Sequence, residues 1–268
     1  MSWLDALILG LVEGITEFLP ISSTGHLILA SALLGYEAAQ LELQLIVIQG
    51  AAILAVCWEY RVRLWNIAAS LGTSATSRRF ALNVAIAFLP LAILALVFGD
   101  AIKNALFGAV PVALALVGGG VLILWSERRK HVENVQNVDD LSPLHALKVG
   151  LFQALALIPG TSRSAATIIG GLLTGMSRRA ATEFSFFVAI PTLLAATVYE
   201  LWKARDVMSW DDGGPLAFSS AVAFISALLS IRFLLRFVAR HSFALFAWYR
   251  IVFGGIVLAT AALGWIEW

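Results

Sequence analysis

Residues 13–26 read Glu13-Gly14-Ile15-Thr16-Glu17-Phe18-Leu19-Pro20-Ile21-Ser22-Ser23-Thr24-Gly25-His26 inside an apolar region that runs from Trp3 to Gly35. No continuous membrane helix can be written through them. Glu13 and Glu17 are four apart, so on a helix they stack one turn from each other on a single face. Two carboxylates so placed away from water cannot both stay ionised without a cation or a buried arginine; the alternative is a pair hydrogen-bonded to backbone or water. Pro20 stops the first half-helix. Ser22, Ser23 and Thr24 are suited to cap a second one, whose free N–H groups and positive dipole end would point into the break as an anion site. His26, one turn beyond Ser22, is expected to face the same space as a candidate proton carrier, although a lone histidine is more often structural.

A second apolar region, Ala146 to Gly175, is interrupted in the same way by Pro159-Gly160-Thr161-Ser162-Arg163-Ser164. Arg163 is costly in lipid, and its five donors suit phosphate or carboxylate. The alternative is an ion pair with Glu13 or Glu17 that locks the two regions together. Thr167, on the following helix, offers a further hydroxyl. The two regions also match one another at a spacing of 139 or 140 residues: Gly10 with Gly150, Glu13 with Gln153, Pro20 with Pro159, Ser23 with Ser162, and Leu34-Gly35 with Thr174-Gly175. Glu42 and Glu183 each head the apolar run that follows, so the chain reads as two halves of similar plan.

Outside these regions the sequence is a lipid-phase scaffold. Of 268 residues 60% are hydrophobic and 13% charged, with a mean hydropathy of +0.88, far outside the range of soluble domains. Six stretches reach the roughly 20 residues that a crossing helix needs: Leu41 to Tyr60, Phe80 to Phe98, Phe107 to Trp125, Glu183 to Trp202, Leu216 to Val238 and Leu245 to Ile266. The expected fold is all-α, a polytopic membrane protein with six transmembrane helices plus two re-entrant helix-break-helix segments. It forms one membrane domain over 1–268, with a first repeat at about 1–126, a cytoplasmic connection at about 127–145 and a second repeat at about 146–268. The lone Cys57 excludes an intrachain disulfide. The net charge of +1 makes nucleic acid an unlikely partner, and Met1 to Gly10 lacks the basic stretch of a removable signal peptide.

If each broken segment returns to the side it entered, Arg61, Arg63, Arg78, Arg79, Arg128, Arg129, Lys130, Lys148, Arg178, Arg179, Arg236 and Arg240 share one side. The other side receives Lys103, Lys203 and Arg205 with an acidic loop containing Asp206, Asp211 and Asp212. The Arg-rich side is then cytoplasmic. Three crossings separate the broken segments, so the first enters from outside, the second from the cytoplasm, and the halves are inverted. Were both segments to span fully, Arg178 and Arg179 would fall opposite Arg128 to Lys130 and the charge bias would weaken.

Two anion-receptive helix starts, an arginine, hydroxyls, paired carboxylates and a histidine make a kit for phosphoryl chemistry. Residues 13–26 and 159–164 resemble the two signature motifs of bacterial undecaprenyl-pyrophosphate phosphatases, the bacitracin-resistance family, and the similarity extends to Glu183-Phe184-Ser185-Phe186. The resemblance implies removal of the terminal phosphate from undecaprenyl pyrophosphate with a divalent cation, Mg2+ or Ca2+, in the bacterial cytoplasmic membrane, at a site opening to the periplasmic side. Carried over residue by residue, it makes Glu17 the key acid, for metal binding or activation of the nucleophile, with Glu13 assisting as the second metal ligand, and Ser23 the nucleophile beside His26. Arg163 becomes the pyrophosphate clamp, and Ser22, Thr24, Gly25, Ser162, Ser164 and Thr167 complete the substrate contacts. The residues alone leave Ser23 and a metal-bound water open as nucleophile. Ala165 departs from the family's usual glycine, and its methyl group would crowd a close backbone approach. The family also suggests a homodimer, while Gly118-Gly119-Gly120 and Gly254-Gly255 permit close helix packing within or between chains. Inverted halves with broken helices are equally the plan of a lipid flippase or transporter, a class with no need of a nucleophile.

Overall fold

The computed structural model describes residues 1–36, 38–129, 132–205 and 213–264, with backbone alone at 38–40, 42 and 204. Lys130, Asp206, Asp211, Asp212, the Glu42 side chain and the Ile266 end of the last apolar stretch lie outside the described residues. Apart from one isolated parallel bridge, Val135 to Met176, the regular structure of the described residues is helical. The first half contains α1 (Trp3–Thr16), α2 (Ser23–Leu33), α3 (Ala38–Glu59), α4 (Arg61–Ser70), α5 (Ala75–Leu106) and α6 (Ala109–Arg128). The second contains α7 (Pro143–Ala154), α8 (Arg163–Leu173), α9 (Arg178–Ala204), α10 (Gly213–Val238) and α11 (Ala244–Ala262).

Five helices, α5, α6, α9, α10 and α11, are long and apolar enough to cross a bilayer. The pair Leu43–Glu59 and Arg61–Ser70, bent by 74° at Tyr60, meets the same measure of length and apolarity when taken as one broken span, which brings the number to six. All six apolar stretches therefore form helices where the sequence places them, and the chain is a multi-pass membrane protein. The short pairs α1–α2 and α7–α8 are the two broken segments. At 14 and 11 residues, α1 and α2 are each only about 15–20 Å long, too short to cross alone.

Each broken segment turns back to the side from which it came. At the first, the Tyr36 hydroxyl beyond α2 donates to Asp5 in the first turn of α1 at 2.6 Å. At the second, the chain before α7 meets the chain after α8: Asn134 N–H donates to Gly175 O at 2.9 Å and Ser177 N–H to Val135 O at 2.9 Å. Consequently Arg178, heading α9, pairs with Glu127 at the end of α6 at 2.6 Å, and Glu127 also accepts from Phe243 N–H ahead of α11. Arg63 joins the same layer through Asp139 at 2.7 Å. The start of α1 lies at the other end of the bundle, where Trp3 packs edge-on against Phe218 near the start of α10.

The halves interlock. α1 packs along α10 of the opposite half, and α7 along α5 of the first. Both contacts require glycine: a Cβ at Gly10 would stand 2.5 Å from Ser219 O, and one at Gly150 2.7 Å from Ala87 O. α6 lies against α11, where a Cβ at Gly120 would come within 2.7 Å of Ala247 O and one at Gly254 within 2.9 Å of Ala113 O. These small residues thus serve packing within the chain, whereas Gly118 and Gly255 face open space. Phe18, Phe184, Phe186 and Phe187 are buried together in the main hydrophobic core.

Candidate active site

Pro20 lies in the break after α1 and Pro159-Gly160 in the break after α7, and the chain restarts at two serines with the same unusual backbone. Ser22 has φ 74, ψ 99 and Ser162 φ 71, ψ 114; they are the only non-glycine residues with positive φ among those described. Such conformations cost about 1–3 kcal/mol each and survive only where surrounding structure enforces them. This shared geometry corrects the repeat register at the break. Ser22 is equivalent to Ser162, at a spacing of 140 residues that also relates Gly35 to Gly175, both at positive φ. Ser23 and Arg163 therefore occupy the same first position of the two half-helices, and the spacing of 139 that aligned Ser23 with Ser162 and Pro20 with Pro159 does not hold. Apolar flanks match almost equally well one residue out of step, which is why the sequence could not choose.

The two helix starts meet at Glu17, the last residue before the first break. Ser23 Oγ donates to Glu17 Oε2 at 2.5 Å, and Arg163 Nη2 donates to Glu17 Oε1 at 3.2 Å. Both ends of this ion pair are nearly buried. Arg163 Nη1 also donates to Ser185 O on α9 at 3.1 Å, and the Ser185 hydroxyl lies 2.6 Å from Thr167 Oγ1. Ser164 Oγ donates to Leu19 O at 2.8 Å, tying the second half-helix to the first break. Ser162 accepts from Ala165 N–H at 3.2 Å and lies 3.0 Å from Ser164 Oγ.

A cavity of about 600 Å³ opens above these groups. Its floor is Glu17, Ser22, Ser23, Thr24, Ser162 and Arg163, its walls are apolar residues of α5 and α9, and its mouth carries Asp100, Lys103 and Glu200. Two buried polar atoms of the floor residues have no partner within the protein, Ser22 Oγ and Arg163 Nε. The expected ion pair between Arg163 and a glutamate is thus present, but it does not use up the arginine. Gly25 contributes no surface to the cavity; a Cβ there would stand 3.3 Å from Leu116, so it serves the close approach of α2 to α6. Ser164 and Thr167, fully buried behind the floor, support Arg163 and Ser185 rather than line the cavity. Ala165 faces the core beside Pro20, Ile123 and Ile168, so its methyl group does not crowd the anion-receptive turn.

His26 is not where the sequence expectation put it. It does not line the cavity; its ring turns to α11, stacked on Phe253 with centroids 4.2 Å apart. Ser22 stands outside the helix with φ 74, ψ 99, so its side chain does not share the helical phase of His26, whose ring instead meets Tyr249 and Phe253 of α11.

Glu13 is fully buried, and neither carboxylate oxygen has a hydrogen-bond partner. Among the described residues no three His, Cys, Asp or Glu side chains converge as a self-sufficient metal site. Glu13 does not line the cavity, but its two unpartnered oxygens belong to a residue one helical turn from Glu17, and one or two carboxylates together with substrate oxygens are a donor set that can hold a hard divalent cation.

The residue that sequence reading missed is Arg250. It is fully buried in α11 and donates to four carbonyls: Leu116 O at 3.2 Å, Pro20 O at 3.3 Å, Ala115 O at 3.1 Å and Gly160 O at 3.0 Å. It therefore fastens both breaks to α6. A lone arginine inside the apolar run 245–266 was the available signal.

The bacitracin resistance protein BacA family model matches residues 6–256. The chain is 59% identical to an undecaprenyl-diphosphatase of Nitrosospira multiformis, with 100% of this chain and 99% of the relative covered. It is 58% identical to one of Nitrosomonas eutropha at the same coverage, and 57% identical to undecaprenyl-diphosphatase 2 of Rhodospirillum rubrum, over 99% of this chain and 97% of that protein. With a family model spanning nearly its whole length and full-length relatives at these identities, the chain belongs to the bacitracin resistance protein BacA family.

Proposed function

We propose that this protein hydrolyses undecaprenyl diphosphate to undecaprenyl phosphate and inorganic phosphate, recycling the cell-wall lipid carrier and so conferring bacitracin resistance. The observation that carries the reading is Glu17, whose two carboxylate oxygens engage Ser23 Oγ at 2.5 Å and Arg163 Nη2 at 3.2 Å on a cavity floor. A general base within hydrogen-bond reach of a hydroxyl is the arrangement of an activated nucleophile.

Ser23 Oγ attacks the terminal phosphorus and passes its proton to Glu17. The bond from that phosphorus to the bridging oxygen breaks, undecaprenyl phosphate leaves, and water then hydrolyses the phosphoserine and restores Ser23. Arg163, through its unpartnered Nε, and the N–H groups opening α2 and α8 stabilise the negative charge on the transferring group. Glu13 and Glu17 would hold the divalent cation, which supplies charge neutralisation to the diphosphate. Ser22 Oγ, without a protein partner, offers a hydrogen bond to the same anion.

Orientation follows from charge. The Arg-rich layer around Arg63, Arg178 and Glu127 is cytoplasmic by the positive-inside rule. The cavity mouth at Asp100, Lys103 and Glu200, at the far ends of α5 and α9, then opens to the periplasm of the inner membrane. A transporter has no use for a serine hydrogen-bonded to a buried carboxylate, and this contact favours the enzyme over a flippase. Phosphate release from a polyprenyl diphosphate in detergent tests the reading: undiminished rates in Ser23→Ala and Arg163→Ala refute it.

A further inference from the structure

His26 Nδ1 lies 2.7 Å from Ser22 O, and its Nε2 lies 2.6 Å from the Tyr249 hydroxyl. A carbonyl oxygen only accepts, so Nδ1 carries a hydrogen and donates to Ser22. Nε2 is then the acceptor for the Tyr249 O–H, which fixes that tautomer. Phe253 covers a face of the ring at 4.2 Å, and with both nitrogens engaged His26 takes no part in the cavity lining.

The second half-helix shows what this arrangement replaces. Ser162, in the same left-handed conformation, steadies its own turn by accepting Ala165 N–H with its hydroxyl. Ser22 makes no such cap; its hydroxyl is buried and unpartnered in a residue of the cavity lining. The residue equivalent to His26 is Ala166, which has no ring to offer. In the first half, restraint of the strained turn has passed from the serine hydroxyl to the histidine ring.

We propose that Tyr249 and His26 are positioning residues, which hold the Ser22 turn through its carbonyl so that Ser23 Oγ stays on Glu17 and the Ser22 hydroxyl is spared from capping its own turn, and that His26 transfers no proton in the reaction. This rests on the reading that Ser23 is the nucleophile.

Steady-state phosphate release from a polyprenyl diphosphate, with melting temperatures measured alongside, provides the test. His26→Asn keeps an amide donor where Nδ1 stood and is expected to remain within about tenfold of wild type in kcat, one hydrogen bond in ten-fold terms. His26→Gln places its amide where Nε2 stood, and with His26→Ala is expected to lose at least about 100-fold. Tyr249→Phe is expected to lower kcat about tenfold with KM little changed. A His26→Asn protein that melts like wild type yet is as inactive as His26→Ala overturns the proposal and makes His26 a proton carrier. Wild-type kcat in Tyr249→Phe overturns the role of the tyrosine. Should His26→Ala fail to fold, the Asn, Gln and Tyr249→Phe comparison still decides. Activity surviving in Ser23→Ala would instead remove Ser23 as nucleophile, a failure separate from the behaviour of the His26 variants.

Discussion

Replacing Arg250 with methionine should unfasten the two breaks from the helix that holds them. Of the four carbonyls bound by the guanidinium, Ala115 O and Leu116 O lie within α6 and keep helical partners when the arginine is removed. Pro20 O and Gly160 O receive their hydrogen bonds from Arg250 and lie at buried positions. Two buried carbonyls left without donors cost about 1–3 kcal/mol each, or about 2–6 kcal/mol together. Burying methionine in place of an unpaired guanidinium offsets part of that. The expected result is a melting temperature lower by on the order of 10 °C, read by intrinsic fluorescence in detergent. Pro20 and Gly160 are three residues from Ser23 and Arg163, so turnover should fall about 100-fold, as for a misplacement of about 1 Å. Arg250→Lys, with three donors on a single nitrogen, should fall between the methionine variant and wild type. A methionine variant that melts and turns over like wild type would refute the assignment of Arg250 as the tie between the breaks.

Other outcomes follow from the same geometry. Arg163→Lys removes the forked contact to Glu17 and Ser185 and should lower kcat by about 100–1000-fold in phosphate-release assays; wild-type turnover would argue against Arg163 as the clamp. Gly14→Ala drives a methyl group into Ser226 Oγ and to 2.7 Å from Ala227 N. It should destabilise the fold by about 1–3 kcal/mol in thermal melts and shift the helix that carries both glutamates. Chelation with EDTA should abolish phosphate release, with recovery on adding Mg2+ or Ca2+. Glu13→Gln should raise the cation concentration needed at least about tenfold; an unchanged requirement would exclude Glu13 as a ligand.

Hydropathy and charge were sufficient for much of this protein. The six apolar runs fix the crossing helices because in lipid every backbone polar group must bond within its own segment. Pro20 and Pro159 fix the breaks for the same reason. Arg163 and the Glu13–Glu17 pair stand out because charge in an apolar run is costly enough to need a cause.

Pairing across the molecule was not legible. That Glu17 rather than Glu13 meets Arg163, across 146 residues, depends on how α1 lies on α10 and α8 on α9. Nothing local encodes those contacts. Arg250 passed as scaffold because its partners are backbone carbonyls, which carry no residue-specific signature. His26 was credited with facing the cavity from its spacing alone, yet the packing of α2 against α11 gives its ring to Tyr249 and Phe253. Spacing along a helix determines which residues share a face; only the packed neighbours determine what that face touches.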